Sequence, residues 1–326
     1  MKVLFLVQDE QRVVLDRLYE AVCAHCECDL RRLSSRDQAD LAGYFAREVE
    51  VEKYDRILFF LRFKKELQQI DFIRSVPNLV TLEHDACQNY LSGKYRGRFS
   101  YYYKSIPWIR VICSGFGLAQ RLRDEGVDAL CVPKGYDQAL LRDLGRARDI
   151  ELGFLGSLGS AAYAGRKALI EELIRHESLT IARAAPGEEY RDHLNRIRFF
   201  VSADVGFGEY MIKNFEAMAC GCVLLTYDQG EAENRELGFA DMENVVLYRN
   251  IGELREKLAR LRADPELAGR IARSGWELAE TRYSFAELGR QIVEALRAPL
   301  RARQDETRKL LDILRLQWQM HSGRWQ

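Results

Sequence analysis

"VSADVGFGEYMIKNFEAMACGCVLLTYDQG", residues 201–230, changes periodicity twice within thirty positions. An apolar strand end gives way to a glycine-bearing loop, and the loop to a segment in which Met211, Phe215 and Met218 share one helical face and Ile212, Phe215 and Ala219 the next. The spacing predicts a helix over about 211–220. Gly221 suits the left-handed residue that ends such a helix, and "VLLT" (Val223 to Thr226) reads as the strand that follows. Strand, helix and strand in this order make the crossover unit of a parallel sheet. Glu216 stands out. A carboxylate among Phe215, Ala217 and Met218 is seldom buried without a partner, so it pairs with Lys213 one turn earlier or meets a ligand.

The same alternation runs along most of the chain. Short apolar runs at Val3–Val7, Arg56–Phe60, Leu79–Leu82, Val111–Cys113 and Ala129–Val132 are each followed by residues of helical period. A second series follows at Glu151–Gly156, Leu179–Ala182, Phe199–Val201, Val223–Thr226 and Val245–Tyr248. At 326 residues the chain exceeds the size of one comfortable core. The expected architecture is α/β, with two doubly wound Rossmann-like domains over 1–145 and 146–295 and a helical extension over 296–326. The stripe Leu310, Leu311, Leu314 and Trp318 in that extension either packs back on the body or, flanked by arginines, lies against a partner or a membrane surface.

Composition narrows the partners. Lys plus Arg and Asp plus Glu both number 49, so no bulk charge favours nucleic acid. Every apolar run is far shorter than the roughly 20 residues of a spanning helix, and Met1 leads straight into a strand without a signal-peptide pattern. A cytoplasmic protein with eight thiols is expected, free in the cytoplasm or at the inner face of the membrane. "CAHCEC" (Cys23 to Cys28) lacks the second half-site a zinc centre needs. No D-x-D pair follows a strand, so no metal-diphosphate site is expected.

In open parallel sheets ligands bind beyond the carboxyl ends of the strands, which selects the residues just after them. Gly156 and Ser157 open a small-residue turn whose amides can cradle phosphate, with Arg166 and Lys167 beyond to neutralise it. "LEHD" ends another strand with His84 and Asp85, which can serve as hydrogen-bond donor and proton acceptor, or else cap the next helix. "GKYRGRFSYYYKSIPW" (Gly93 to Trp108) interleaves aromatics with cations, a pattern suited to sugar stacking or to a surface loop without a ligand.

These motifs together resemble a family. "FGEYMIKNFEAMACGCVLLTYDQG" is similar to the donor-site signature of group 1 glycosyltransferases of the GT-B fold, closest to the spore-maturation-protein-like branch, in which a basic residue, Phe and Glu precede "AMACG". "PKGYD" (Pro133 to Asp137) resembles the turn that closes the first domain, "LGFLGSL" the phosphate loop that opens the second, and "ADPELAGRIARSGWELAETRYSF" the C-terminal helices. The resemblance implies a nucleotide-diphosphate sugar as substrate and no cofactor. It assigns the ribose to Glu216 and the diphosphate to Gly156, Ser157, Arg166 and Lys167, with Lys213 as a further donor-binding residue that replaces part of the charge at the shifted Glu209. Glu209 would join His84 and Asp85 as catalytic groups, and Arg98, Tyr101, Tyr102 and Tyr103 would meet a cell-surface glycan, lipopolysaccharide or protein acceptor. Retention of configuration without a metal is implied, with peripheral membrane association possible. A GT-B nucleotide-sugar epimerase and a catalytically degenerate nucleotide-sugar-binding partner remain alternatives. Two departures stand out: Glu209 lies seven rather than eight residues before Glu216, and no glycine follows the first strand.

Overall fold

The computed structural model describes residues 1–9, 15–159 and 164–303. Two all-parallel sheets organise it. The first orders its strands β2-β1-β3-β4-β5-β6 and the second β11-β10-β9-β7-β8. The strands are β1 Lys2–Gln8, β2 Glu27–Leu33, β3 Arg56–Phe60, β4 Leu79–Glu83, β5 Arg110–Cys113, β6 Asp128–Cys131, β7 Ile150–Leu155, β8 Thr180–Ala182, β9 Ile197–Ser202, β10 Val223–Tyr227 and β11 Val246–Tyr248. Ten of them fall on the apolar runs of the sequence. The eleventh, β2, carries Glu27, Asp29, Arg31 and Arg32 and shows no apolar run, because it is an edge strand with one exposed flank. Arg31 satisfies it laterally, donating to Asp29 at 2.7 Å and to the Glu48 carbonyl at 2.6 Å.

Strands covered on both faces explain the unbroken runs. Along β1, Leu4 and Leu6 enter one core with Phe45, Phe59 and Val111, whereas Val3, Phe5 and Val7 enter another with Tyr19, Val22 and Ile292. Ile292 belongs to the helix Phe285–Arg297, which therefore returns from the far end of the chain to the first sheet. It lies close on the helix Asp16–Ala24: a Cβ on Gly289 would stand 2.5 Å from the Ala21 carbonyl carbon. The chain thus crosses between the sheets twice, and the crossings pair with each other. Tyr136 donates its amide to the Tyr283 carbonyl at 3.0 Å, and Phe285 donates to the Tyr136 carbonyl at 2.9 Å.

The end of this helix and the residues that follow it are tied down by arginines of the first sheet. Arg110 pairs with Asp128 at 3.0 Å and donates to the carbonyls of Ala295, Ala298 and Pro299, while Arg56 holds the Leu296 carbonyl at 2.7 Å. The apolar stripe expected at Leu310 to Trp318 lies outside the described residues. No described helix is long and apolar enough to cross a membrane.

Candidate functional site

The carboxyl ends of the sheets meet. Ser114, just after β5, donates to Glu209 Oε2 at 2.5 Å, and Lys134, after β6, holds the same oxygen at 2.8 Å. Glu233, near the start of the helix Glu231–Leu237, accepts the Gly117 amide at 2.8 Å at the N-terminus of the helix Phe116–Asp124. Burial pushes Glu233 up to about 7, offset in part by that amide and aided by the charge of Glu209. Burial pulls Lys134 down, yet Glu209 outweighs it and leaves the ammonium above its usual value.

On the first-sheet side the ends of β1, β3 and β4 line a cavity of about 400 Å³. Gln8, Arg62, Glu83, His84 and Asp85 supply its polar wall, and Phe63 and Tyr95 an aromatic one. His84 stands edge-on to Phe60, ring centroids 5.1 Å apart, and Glu83 Oε1 accepts the Asp85 amide at 2.7 Å. Burial, and then the Asp85 charge, hold the Glu83 carboxyl well above the usual carboxylate range.

The tyrosine run departs from the sequence expectation. It lies in the helix Arg98–Ser105, where Phe99, Tyr102 and Tyr103 face the core; Tyr102 is fully buried and donates to Glu66 Oε2 at 2.8 Å. Tyr102 and Tyr103 therefore present no stacking face to an acceptor. Tyr101, 63% exposed, and Arg98 point outward.

On the second-sheet side Gly156 follows directly on β7. A Cβ there would sit 3.0 Å from Lys213 Nζ, so glycine lets the lysine fold over the strand end and donate to the Leu155 carbonyl at 2.5 Å. Ser157 is exposed and accepts from Arg183 at 3.0 Å, beyond β8.

Glu216, 6% exposed, accepts the Tyr190 hydroxyl at 2.6 Å. Its partner is thus a phenol on the helix Glu188–Arg196, while Lys213 acts on it through charge. Burial pushes Glu216 up, against Tyr190 and Lys213, and burial pulls Lys213 down.

Three further residues singled out in the sequence have partners within the protein. Arg166 is buried and donates to Asp204 Oδ1 at 2.7 Å, with its guanidinium 5.6 Å from the Phe207 ring centroid, so its charge is neutralised inside the domain. Lys167 lies on the exposed side of its helix and pairs with Glu171 at 3.6 Å. Glu209 is fully buried in the seam with Lys134 and Ser114, and so presents no open face to a sugar.

Asp204, Arg183 and Tyr190 escaped the sequence reading. Asp204 also receives Ser202, the Met211 amide and Asn214, which pins the loop before the helix Ile212–Ala219. Among the described residues no group of three or more His, Cys, Asp or Glu is placed to hold a metal.

Residues 137–294 match the model of a family described as glycosyl transferase-like. No curated protein sequence matches the chain. Among solved structures, sucrose-phosphate synthase from Thermosynechococcus elongatus superposes with a TM-score of 0.64 at 13% identity, over 91% of this chain and 98% of that one. Anabaena Alr3699/HepE in complex with UDP and glucose gives 0.64 at 16%, over 92% and 100%. A glycosyltransferase from Rickettsia africae gives 0.61 at 10%, over 90% and 97%. The architecture is the GT-B fold, and the match over residues 137–294 together with these neighbours supports a glycosyltransferase.

Proposed function

With a glycosyl transferase-like domain as premise, we propose that the protein transfers a sugar from a nucleotide-diphosphate donor to a hydroxyl of a glycan, glycolipid or protein acceptor, with retention and without a metal. The assembly at the ends of β7 and β8 carries this reading: a recessed carboxylate, Glu216, beside two cations, Lys213 and Arg183, and the glycine turn at Gly156 and Ser157. A ribose diol donates to a carboxylate, and a diphosphate needs cations and amides. In this reading Glu216 takes the ribose. Lys213 and Arg183, rather than Arg166 and Lys167, take the diphosphate.

The same reading gives the rest of the mechanism. The acceptor enters the first-sheet cavity, where His84 contacts the sugar being transferred and Asp85 receives the acceptor proton as the new glycosidic bond forms. The anomeric carbon's bond to the diphosphate breaks with its electron pair on the leaving oxygen, where Lys213 and Arg183 stabilise the charge that develops. Similar structures bound to UDP and glucose support a uridine diphosphate sugar as the first donor to try.

A thermal-shift screen over UDP-, GDP- and dTDP-sugars tests the reading. The right donor at about 100 times its Kd should stabilise by roughly 2.7 kcal/mol and raise the midpoint by a few degrees. Glu216→Ala should abolish both the shift and the release of nucleoside diphosphate. An undiminished shift in that variant rejects the ribose assignment.

A further inference from the structure

Tyr190 has no part in the family resemblance, yet it makes the one hydrogen bond that the Glu216 carboxylate receives among the described residues. The two side chains come from different helices, Glu188–Arg196 and Ile212–Ala219, and both are recessed from solvent. Glu216 has four acceptor sites on two oxygens, and the phenol takes one of them on Oε2. We propose that Tyr190 is the positioning residue of the donor site, fixing the Glu216 carboxylate so that Oε1 and the remaining lone pair of Oε2 meet the ribose diol of a nucleoside diphosphate sugar. The inference rests on the donor-site reading above.

Orientation is half of the effect, and charge is the other half. Glu216 must be ionised to accept two hydroxyl donors. Burial works against that, while the phenol of Tyr190 and the ammonium of Lys213 work for it. Tyr190 stays protonated, because burial and the neighbouring carboxylate hold it well above the usual phenol range, so it donates at every physiological pH. Around the pair stand Lys213, whose ammonium is 6.0 Å from the Tyr190 ring centroid, Arg166, Asp204 and Arg183 around that lysine, and the thiols of Cys220 and Cys222. Lys213 is the only one of these that lowers Glu216 besides Tyr190. Without the phenol, Glu216 titrates at higher pH and the site loses its carboxylate as pH falls.

Full-length Tyr190→Phe removes one hydroxyl and keeps the ring. Initial rates against donor concentration from pH 5.5 to 8.5 should show donor KM raised about tenfold with kcat within about twofold, as expected for the loss of one charge-assisted hydrogen bond used in binding. The acid limb of kcat/KM should move to higher pH, and the preference for UDP over 2′-deoxy-UDP in direct binding should narrow. A purely packing role would leave the acid limb in place. Unchanged KM and acid limb in Tyr190→Phe, with donor binding lost in Glu216→Ala, would overturn the role of Tyr190 alone. Donor binding that survives Glu216→Ala would overturn the donor-site reading and this inference together.

Discussion

Replacing Lys134 by Met should destabilise the protein by about 3–5 kcal/mol, although it exchanges a buried charge for an apolar side chain of similar length. Lys134 and Glu209 are 6% and 0% exposed and 2.8 Å apart. At an effective dielectric of about 20 their gross attraction is roughly 6 kcal/mol, offset by several kcal/mol of desolvation for each ion. The intact pair therefore nets close to zero. Removing one member leaves the other's desolvation uncompensated, and Ser114 alone then faces the Glu209 carboxylate, whose Oε1 already lacks a hydrogen-bond partner. Glu209→Leu should cost a comparable amount. The double variant should return to within about 1 kcal/mol of the parent, a coupling of several kcal/mol. Urea denaturation followed by tryptophan fluorescence and far-UV circular dichroism measures all three. A cost below about 1 kcal/mol for Lys134→Met, or a double variant as weak as the sum of the singles, refutes the reasoning.

Glu66 makes stability fall with pH. Burial lifts it from the usual 4.5 to about 7 against the Tyr102 hydrogen bond, so the folded state binds its proton more tightly and stability is lost as pH rises from 4.5 to about 7, by about 3 kcal/mol. Glu66→Gln should flatten that part of a stability-against-pH curve; an unchanged slope would show that Glu66 titrates normally. Arg110→Leu should strip three carbonyls and Asp128 of their donor, speeding hydrogen exchange across 290–299 at least tenfold, and unchanged protection there would count against the strap. Tyr101→Ala should leave stability within about 0.5 kcal/mol and, if the exposed ring meets the acceptor, raise acceptor KM alone; equal loss of donor hydrolysis would exclude that contact.

Most of the scaffold was legible because buried parallel strands must be apolar on both faces, which leaves runs such as Val3–Val7 in plain view. β2 was not, since an edge strand with charged side chains carries no such run. Glu216 was legible from its conflict with an apolar helix, but Tyr190, 26 residues earlier in another helix, was not, because a phenol announces no partner in sequence. The pairing of Arg166 with Asp204, 38 residues apart, was hidden for the same reason. The tyrosine run carries two signals, a composition that suits sugar stacking and a helical period that marks a core. Phe99, Tyr102, Tyr103 and Ile106 recur at three and four residues, which is a core stripe.

The paired crossings at Tyr136 and Tyr283–Phe285 bear on how such a protein can be recombined. A chimera joined at one point near residue 140 would inherit the helix Phe285–Arg297, and with it part of the first sheet's cover, from the wrong parent. Exchanging the half that carries the second sheet between relatives requires two junctions, one on each crossing strand. Gly135 must stay at the first of them, because a Cβ there would overlap the Tyr283 carbonyl oxygen of the second.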